Sequence, residues 1–288
     1  MKIGVIGVGN MGMNIARRLI AKGYAVHTRD VRPEADAEAR SIGAKVEPSA
    51  AALARAVDVV VIIVLNAQQI DDVLTGPHGA LSALRSGQIV LLSSTIAPTD
   101  TIRYAELLSA RGVACLDAPV SGGPVRAREG TMSLMWAGNP DSFTRIAPLI
   151  ADMAGKVFRI SDRPGDAAKA KLVNNLLAGT NLVAGAAAIA LAERVGLDPK
   201  VVFDLICGSS GTSWVFADRM TRALEDDYVP RSFAHILTKD MTLATEMARA
   251  AGFATPAGDY ALDIFKATCA AGLAEEDDAS VFKVLRKS

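Results

Sequence analysis

The sequence predicts an α/β chain: a doubly wound parallel sheet, then an all-α domain, the two joined by a long helix. Three observations carry this. From Lys2 to Asp162, short β-branched runs alternate with helical stretches, as expected of parallel strands linked by crossover helices and covered on both faces. After Asp162 no run reads as a strand, and Ala167–Val195 reads as one helix rich in Ala and Leu, ended by Gly196. Near the start, Gly7-Val8-Gly9-Asn10-Met11-Gly12 follows a strand and opens a helix.

Taken in order, Lys2–Ile6 is a short buried strand and Met11–Lys22 a helix closed by Gly23. Tyr24–Asp30 is the second strand, Pro33–Ser41 a helix, Lys45-Val46 a brief extended piece, and Ser49–Ala56 helical again. Val57–Leu65 is a long, mostly β-branched run, the signature of a strand buried on both faces. Ile70–Leu74 and Ala80–Leu84 are short helical pieces, Ile89–Leu92 a strand, Pro98–Arg111 a helix and Val113–Leu116 another strand; Leu134–Ala137 and Val157–Ile160 are candidate further strands. Beyond the long helix, Pro199–Cys207, Trp214–Leu224, Phe233–Ala251, Pro256–Ala271 and Ser280–Leu285 read as helices. The pattern changes at Arg163-Pro164-Gly165, which divides the chain into an α/β domain, 1–163, and a helical domain, 164–288.

Composition narrows the function. With 5% aromatic residues the core is mainly aliphatic, and 31 basic against 31 acidic side chains argue against a nucleic-acid binder working through a basic patch. Cys115, Cys207 and Cys269 are too few and scattered for a disulfide framework or zinc site and read as small buried hydrophobes. His27, His78 and His235 have no metal-ligand spacing, so no metal is expected. The Ile3–Gly7 stretch is too short and glycine-broken for a secretory core. Leu172–Ala192 has nearly the length of a membrane span, but Asn174, Asn175, Thr180 and Asn181 favour a buried core helix. The expectation is a soluble cytoplasmic protein with no membrane or nucleic-acid partner.

The G-x-G-x-x-G run has a physical reading. Gly7 permits a tight turn, Gly9 lets backbone approach a pyrophosphate at the positive end of the following helix, and Gly12 lets helix and strand pack closely; Asn10 and Met11 lie between. Asp30, about 20 residues on, ends the second strand, where it accepts hydrogen bonds from the adenosine 2′- and 3′-hydroxyls and repels a 2′-phosphate. That favours NAD; Arg29 and Arg32 flank it and are able to hold a phosphate, so NADP stays open. The competing reading is a glycine-rich turn without a ligand.

Three more segments carry candidate chemistry. Asp117–Pro124 follows a strand whose carboxyl end is where open α/β sheets bind ligands, and Ser121, Gly122 and Gly123 offer a hydroxyl and backbone N–H groups to a carboxylate. A plain turn is the alternative. Lys171 and Asn175 share a helix face, where burying them without partners is costly, so a cleft explains them better than a core does. The alternative is a lysine that snorkels to solvent. Lys239-Asp240 interrupts the apolar pattern of its helix, unless it is an ordinary exposed pair.

In this order the motifs resemble the β-hydroxyacid dehydrogenase family, which includes 3-hydroxyisobutyrate dehydrogenase, tartronate semialdehyde reductase and L-threonate dehydrogenase and is related to 6-phosphogluconate dehydrogenase. The resemblance covers nearly the whole chain. It rests on Gly7–Gly12 with Asp30, Asp117–Gly123 followed by Gly130-Thr131, Lys171–Asn175, and Lys239-Asp240. It implies a Rossmann-type domain and a helical domain with the active site between them, and hydride transfer between the β-carbon of a small hydroxyacid and NAD. On this resemblance Lys171 is the catalytic acid/base and Asn175 its supporting amide, while Ser121, Gly122 and Gly123 hold the substrate carboxylate. Thr95 lines the nicotinamide pocket. Leu65 and Asn66, where family members often carry a proline, belong to the cofactor site. Lys239 contacts the cofactor side and, with Asp240, the substrate. Ala167 stands where a second glycine is usual. Imine-reducing relatives lack the lysine, so Lys171 favours alcohol oxidation. A low-dielectric cleft, with Lys239 adding like charge, would lower the lysine pKa toward neutrality. Association through the helical domain implies a homodimer or homotetramer.

Gly211–Phe216, Asp227–Ser232 and Asp277–Val281 resemble the L-threonate branch of the family more than the 3-hydroxyisobutyrate branch. Ser213 and Asp240 are expected to hydrogen-bond further substrate hydroxyls, which predicts a threonate- or glycerate-like substrate. The competing reading of that stretch makes Ser213 a helix cap and Trp214 and Phe216 core residues. The alternatives for the whole chain are a tartronate semialdehyde (2-hydroxy-3-oxopropionate) reductase, a 3-hydroxyisobutyrate dehydrogenase and a non-catalytic NAD-binding protein; the last needs no Lys171.

Overall fold

The computed structural model describes residues 1–287. Two compact units emerge, Met1–Lys171 and the chain from Leu172 onward.

In the first unit, β1 (Lys2–Ile6), β2 (Ala25–Arg29), β3 (Lys45–Val46), β4 (Val59–Ile62), β5 (Ile89–Leu92) and β6 (Ala114–Asp117) lie parallel in the order β3-β2-β1-β4-β5-β6. Strand alternation explains the two layers on the sheet. Val59 and Val61 of β4 face one hydrophobic cluster, which holds Met13, Ile15 and Leu19 of α1 (Asn10–Ala21). Val60 and Ile62 face another. That second cluster includes residues of α3 (Ala50–Ala56), α4 (Ala67–Thr75) and α5 (Pro98–Ser109). The helix α2 (Pro33–Ser41) buries Ala35 and Ala39 in the first cluster. Strand order reverses between β1 and β4, and in such sheets ligands bind outside the carboxyl ends at that reversal.

The sheet is parallel only through β6. Beyond it, β8 (Met132–Gly138) runs antiparallel to β6 and to the two-residue β7 (Val120–Ser121), and β9 (Ala154–Ser161) runs parallel to β8. Two helices here escape the sequence reading, α6 (Gly123–Glu129) and α7 (Pro140–Met153). The α7 helix carries Pro148 in its interior, which reads as a breaker, yet it buries Ile146, Leu149, Ile150 and Met153 and is capped by Asn139, which accepts from Ser142 N–H at 2.9 Å. Asn139-Pro140 was the overlooked start signal. Ala80–Leu84, expected as a short helical piece, forms a single 3₁₀ turn over Ala80–Ser82.

The 29-residue α8 (Asp166–Arg194) runs on into the second unit. The sequence boundary at 163/164 and the unit division at Lys171/Leu172 therefore differ by two helical turns. The reason is that the first turn of α8 is bonded to β6 of the first unit. From Leu172 onward the second unit contains α9 (Pro199–Cys207), α10 (Trp214–Ala223), α11 (Ala234–Ala250), α12 (Pro256–Thr268) and α13 (Val281–Leu285). Leu182, Val183, Ala186 and Ile189 of α8 pack there against Phe216, Met220, Met241, Phe265 and Phe282.

By length and composition α8 qualifies as a membrane-crossing helix, and 39% of its apolar window is buried. It is thus not the fully enclosed core helix expected: Val173, Leu177 and Leu191 are each about 60% exposed on the opposite face. Of the three cysteines only Cys115 is fully buried; Cys207 and Cys269 are half-buried.

Candidate active site

The fingerprint loop sits at the carboxyl end of β1, at the strand-order reversal. Gly7 has φ +88°, and a Cβ there would lie 2.3 Å from the Ile63 carbonyl oxygen. A Cβ on Gly12 would lie 1.9 Å from the Gly7 carbonyl oxygen, so helix and loop touch only because Gly12 lacks a side chain. A Cβ on Gly9 would meet, among the described residues, just an Arg32 guanidinium nitrogen at 3.7 Å. No side chain caps α1 at Gly9. The first-turn N–H groups of α1, Asn10 and Met11 among them, thus head a loop with room for a pyrophosphate, and these residues fit a dinucleotide.

Asp30 closes this cradle from β2. Its carboxylate accepts from Val8 N–H (2.8 Å), Arg32 N–H (3.0 Å) and Arg32 Nε (3.1 Å). Burial pushes the carboxyl pKa up, but the Arg32 guanidinium and the two backbone N–H donors outweigh it and hold the group below its ordinary value. Arg29 is committed elsewhere, paired with Asp36 at 3.6 Å. Of the two flanking arginines, Arg32 is therefore the one paired with Asp30.

Past the ends of β4 and β5 come Leu65, Asn66 and Thr95. Asn66 caps α4 by accepting from Gln69 N–H (2.9 Å), while Gln69 Oε1 accepts from Leu65 N–H (2.9 Å). This reciprocal cap fixes the loop without the proline usual there. The neighbouring Ser94 hydroxyl accepts from Val64 N–H at 2.8 Å. After β6, Gly122 and Gly123 adopt φ of +130° and +76°, a turn that leaves Ser121, Gly122 and Gly123 half-buried with backbone within reach of a ligand.

Lys171 and Asn175 are both 7% exposed, one turn apart on α8. In the second unit Asn175 Nδ2 donates to Asp240 Oδ2 (2.7 Å), and Asn175 Oδ1 accepts from Asn174 (3.1 Å). The other Asp240 oxygen pairs with Lys239 Nζ at 2.7 Å. Asn175, Lys239 and Asp240 are thus brought together, with Asp240 buried at the centre. Beyond this ion pair, that second oxygen has no hydrogen-bond partner among the described residues. One expectation is corrected. Lys239 does not act as an uncompensated positive charge, because its ammonium is paired with Asp240.

Ser213 is also reassigned. Its hydroxyl accepts from Phe216 N–H (3.2 Å) and caps α10, and Phe216 is core, whereas Trp214 is exposed. The Asp277–Ser280 stretch is buried and structural. Asp278 accepts from Arg219 Nε (2.6 Å), and Asp277 pairs with Arg222 at 3.0 Å. Asp117, quoted in the motif without a role, is the residue the sequence reading missed. Its signal was its place at the carboxyl end of a strand.

Residues 2–161 match the family described as the NAD binding domain of 6-phosphogluconate dehydrogenase, and residues 165–285 match that described as NAD-binding of NADP-dependent 3-hydroxyisobutyrate dehydrogenase. The chain is 38% identical to an L-threonate dehydrogenase of Escherichia coli over 283 residues, 98% of this chain and 94% of that protein. Among solved structures it is similar to 3-hydroxyisobutyrate dehydrogenase from Salmonella typhimurium (TM-score 0.91, 38% identity, 99% of both chains). It is also similar to Psf3 in complex with NADP+ and 2-OPP (TM-score 0.92, 29% identity, 98% of this chain and 99% of that one).

Proposed function

Since the chain belongs to the β-hydroxyacid dehydrogenase family, NAD(P)-dependent oxidoreductases acting on CH–OH groups, we propose that its substrate is a polar three- or four-carbon hydroxyacid, with threonate first. The observation that carries this reading is the end-to-end likeness to an L-threonate dehydrogenase. Ser213 adds no support, because its hydroxyl caps α10. Asp30 makes NAD the preferred cofactor.

In the proposed mechanism Ser121, Gly122 and Gly123 hold the substrate carboxylate through hydroxyl and N–H groups. Bound nicotinamide supplies the hydride acceptor. Lys171 enters as the free amine, the only form with a lone pair. It takes the β-hydroxyl proton as that carbon loses hydride, leaving a carbonyl and an ammonium that releases its proton to solvent. Asn175, aligned by Asp240, presents an uncharged amide on the lysine face and adds no negative charge that would hold the ammonium form.

We also propose a homodimer or homotetramer, supported by the apolar stripe of Val173, Leu177 and Leu191 on α8 and Val195 just past its end, which continues in Val201 and Leu205 of α9.

The substrate reading is tested by kcat/KM for threonate, glycerate, serine and 3-hydroxyisobutyrate with NAD and NADP, followed by absorbance of the reduced nicotinamide. Threonate with NAD is expected to rank first. A clear win for 3-hydroxyisobutyrate overturns the polar-substrate reading and leaves the enzyme class standing.

A further inference from the structure

We infer that Asp117 is a positioning residue: it clamps the first turn of α8 to the end of β6 and so sets where Lys171 stands relative to the Ser121–Gly123 turn that leaves the same strand. The inference rests on the reading of Lys171 as the acid/base.

Helix α8 begins without a cap of its own, because Gly165, the residue before it, has no side chain. Asp117, 2% exposed, supplies the cap from another element. One oxygen accepts from Gly165 N–H at 2.8 Å and from Ala168 N–H at 3.0 Å. These are the two donors that a reciprocal cap within one helix would satisfy. A third N–H, from Ala167, also points at this carboxylate. Burial outweighs these three donors and leaves the carboxyl pushed up to about 6, so the protein bears a desolvation cost to keep a carboxylate here.

The turn is held from other sides too. Gly165 has φ +96°, and a Cβ there would lie 2.9 Å from Ile102 Cγ1 and 3.1 Å from the Pro98 carbonyl oxygen of α5. Ala167 is fully buried against Met135 and Ala137 of β8. With its start clamped in this way, α8 is a rigid arm, and Lys171 lies on its second turn. A displacement of its start reaches the amine almost undiminished. A misplacement of ~1 Å costs on the order of 100-fold in rate.

The test compares Asp117→Asn with Lys171→Ala, the double variant, and Ser161→Ala. The last removes a hydroxyl bonded to Asp166 on the solvent side of the same turn. Each variant is read by kcat, KM for the hydroxyacid, NADH affinity by fluorescence titration, and thermal midpoint. For Asp117→Asn the expected result is a kcat loss of about 10- to 100-fold. KM and NADH affinity should stay within about 2-fold, and Ser161→Ala should be unchanged. In the Lys171→Ala background, Asp117→Asn should change the residual rate by less than about 2-fold, because the group it positions is gone. Should Asp117→Asn fail to fold, Gly165→Ala displaces the same turn by a methyl group and should give the same kcat-only loss, absent again without Lys171. Wild-type kcat in Asp117→Asn overturns the inference. So does an equal loss with and without Lys171, or an equal loss in Ser161→Ala. Near-wild-type kcat in Lys171→Ala is a different result, which overturns the acid/base reading itself.

Discussion

Asp30 stands beside the fingerprint loop with its carboxylate already held. Val8 N–H fixes one oxygen at the fingerprint loop, and Arg32 bonds the other through both main chain and guanidinium. A 2′-phosphate arriving here would put ~1.5–2 negative charges beside a carboxylate that stays ionised, so NAD is favoured. The same contact makes Arg32 a latent phosphate ligand, neutralised by Asp30. Asp30→Ser should release it: kcat/KM with NAD falls, kcat/KM with NADP rises, and the ratio shifts by about 10-fold or more, the worth of a charge-assisted bond. Adding Arg32→Ala should cancel the gain with NADP. A wild-type enzyme that prefers NADP would show that Arg32 outweighs Asp30. The fingerprint was readable because each glycine answers to a local backbone demand. The pairing of Arg32, and not Arg29, with Asp30 was not, because both arginines flank the acid in sequence.

Element ends settle where the rest of the site stands. The first turn of α8 is held on its buried side by Asp117, while on the solvent side Asp166 bonds Ser161 (2.7 Å), Lys169 (2.8 Å) and Arg163 (3.2 Å) without fixing the turn to the sheet core. Lys169, with help from the Ser161 hydroxyl, holds the Asp166 carboxyl down at about 2, and an acid at a helix N-terminus is favoured further by the peptide dipoles. A carboxyl whose pKa is lower folded than unfolded stabilises above its unfolded value near 3.8 and loses that contribution as pH falls toward about 2. Asp166→Asn should therefore lower the thermal midpoint at pH 5–7 and flatten its fall between about pH 4 and 2. An unchanged acid limb would show that the pair is too solvated to matter. Ser213 illustrates the same scale: a residue read as a substrate contact proves to be the cap that starts α10.

At the scale of the molecule, the unexplained feature is apolar surface. Leu177, Leu191, Val195, Val201 and Leu205 are all more than 60% exposed on α8, just past its end, and on α9. Monomeric proteins rarely leave so continuous a stripe open to water. Light scattering at micromolar concentration should give the mass of a dimer or tetramer. Leu177→Glu with Leu191→Glu should shift it toward the monomer by burying charge in the contact. A fully active monomer in the unsubstituted protein would refute the assembly.

The sequence by itself determined the succession of strands and helices through β6, the dinucleotide loop with its acid, and the helical second half. These depend on local causes: side-chain period, glycine conformations, and caps within a few residues. The same local logic failed where a helix carries an internal proline, as in α7, and where a strand is too short to show a period, as in β7. Only the tertiary structure decided that β8 runs antiparallel, that Asp240 anchors Asn175 and Lys239, and that Asp117 caps α8. Asp240 and Asn175 are 65 positions apart, and Asp117 is 48 from Gly165. A buried carboxylate must find donors wherever the fold supplies them, because leaving it unpaired costs several kcal/mol, roughly the margin on which a domain is stable. Which donors arrive depends on how distant elements pack, and no periodicity in the chain records that.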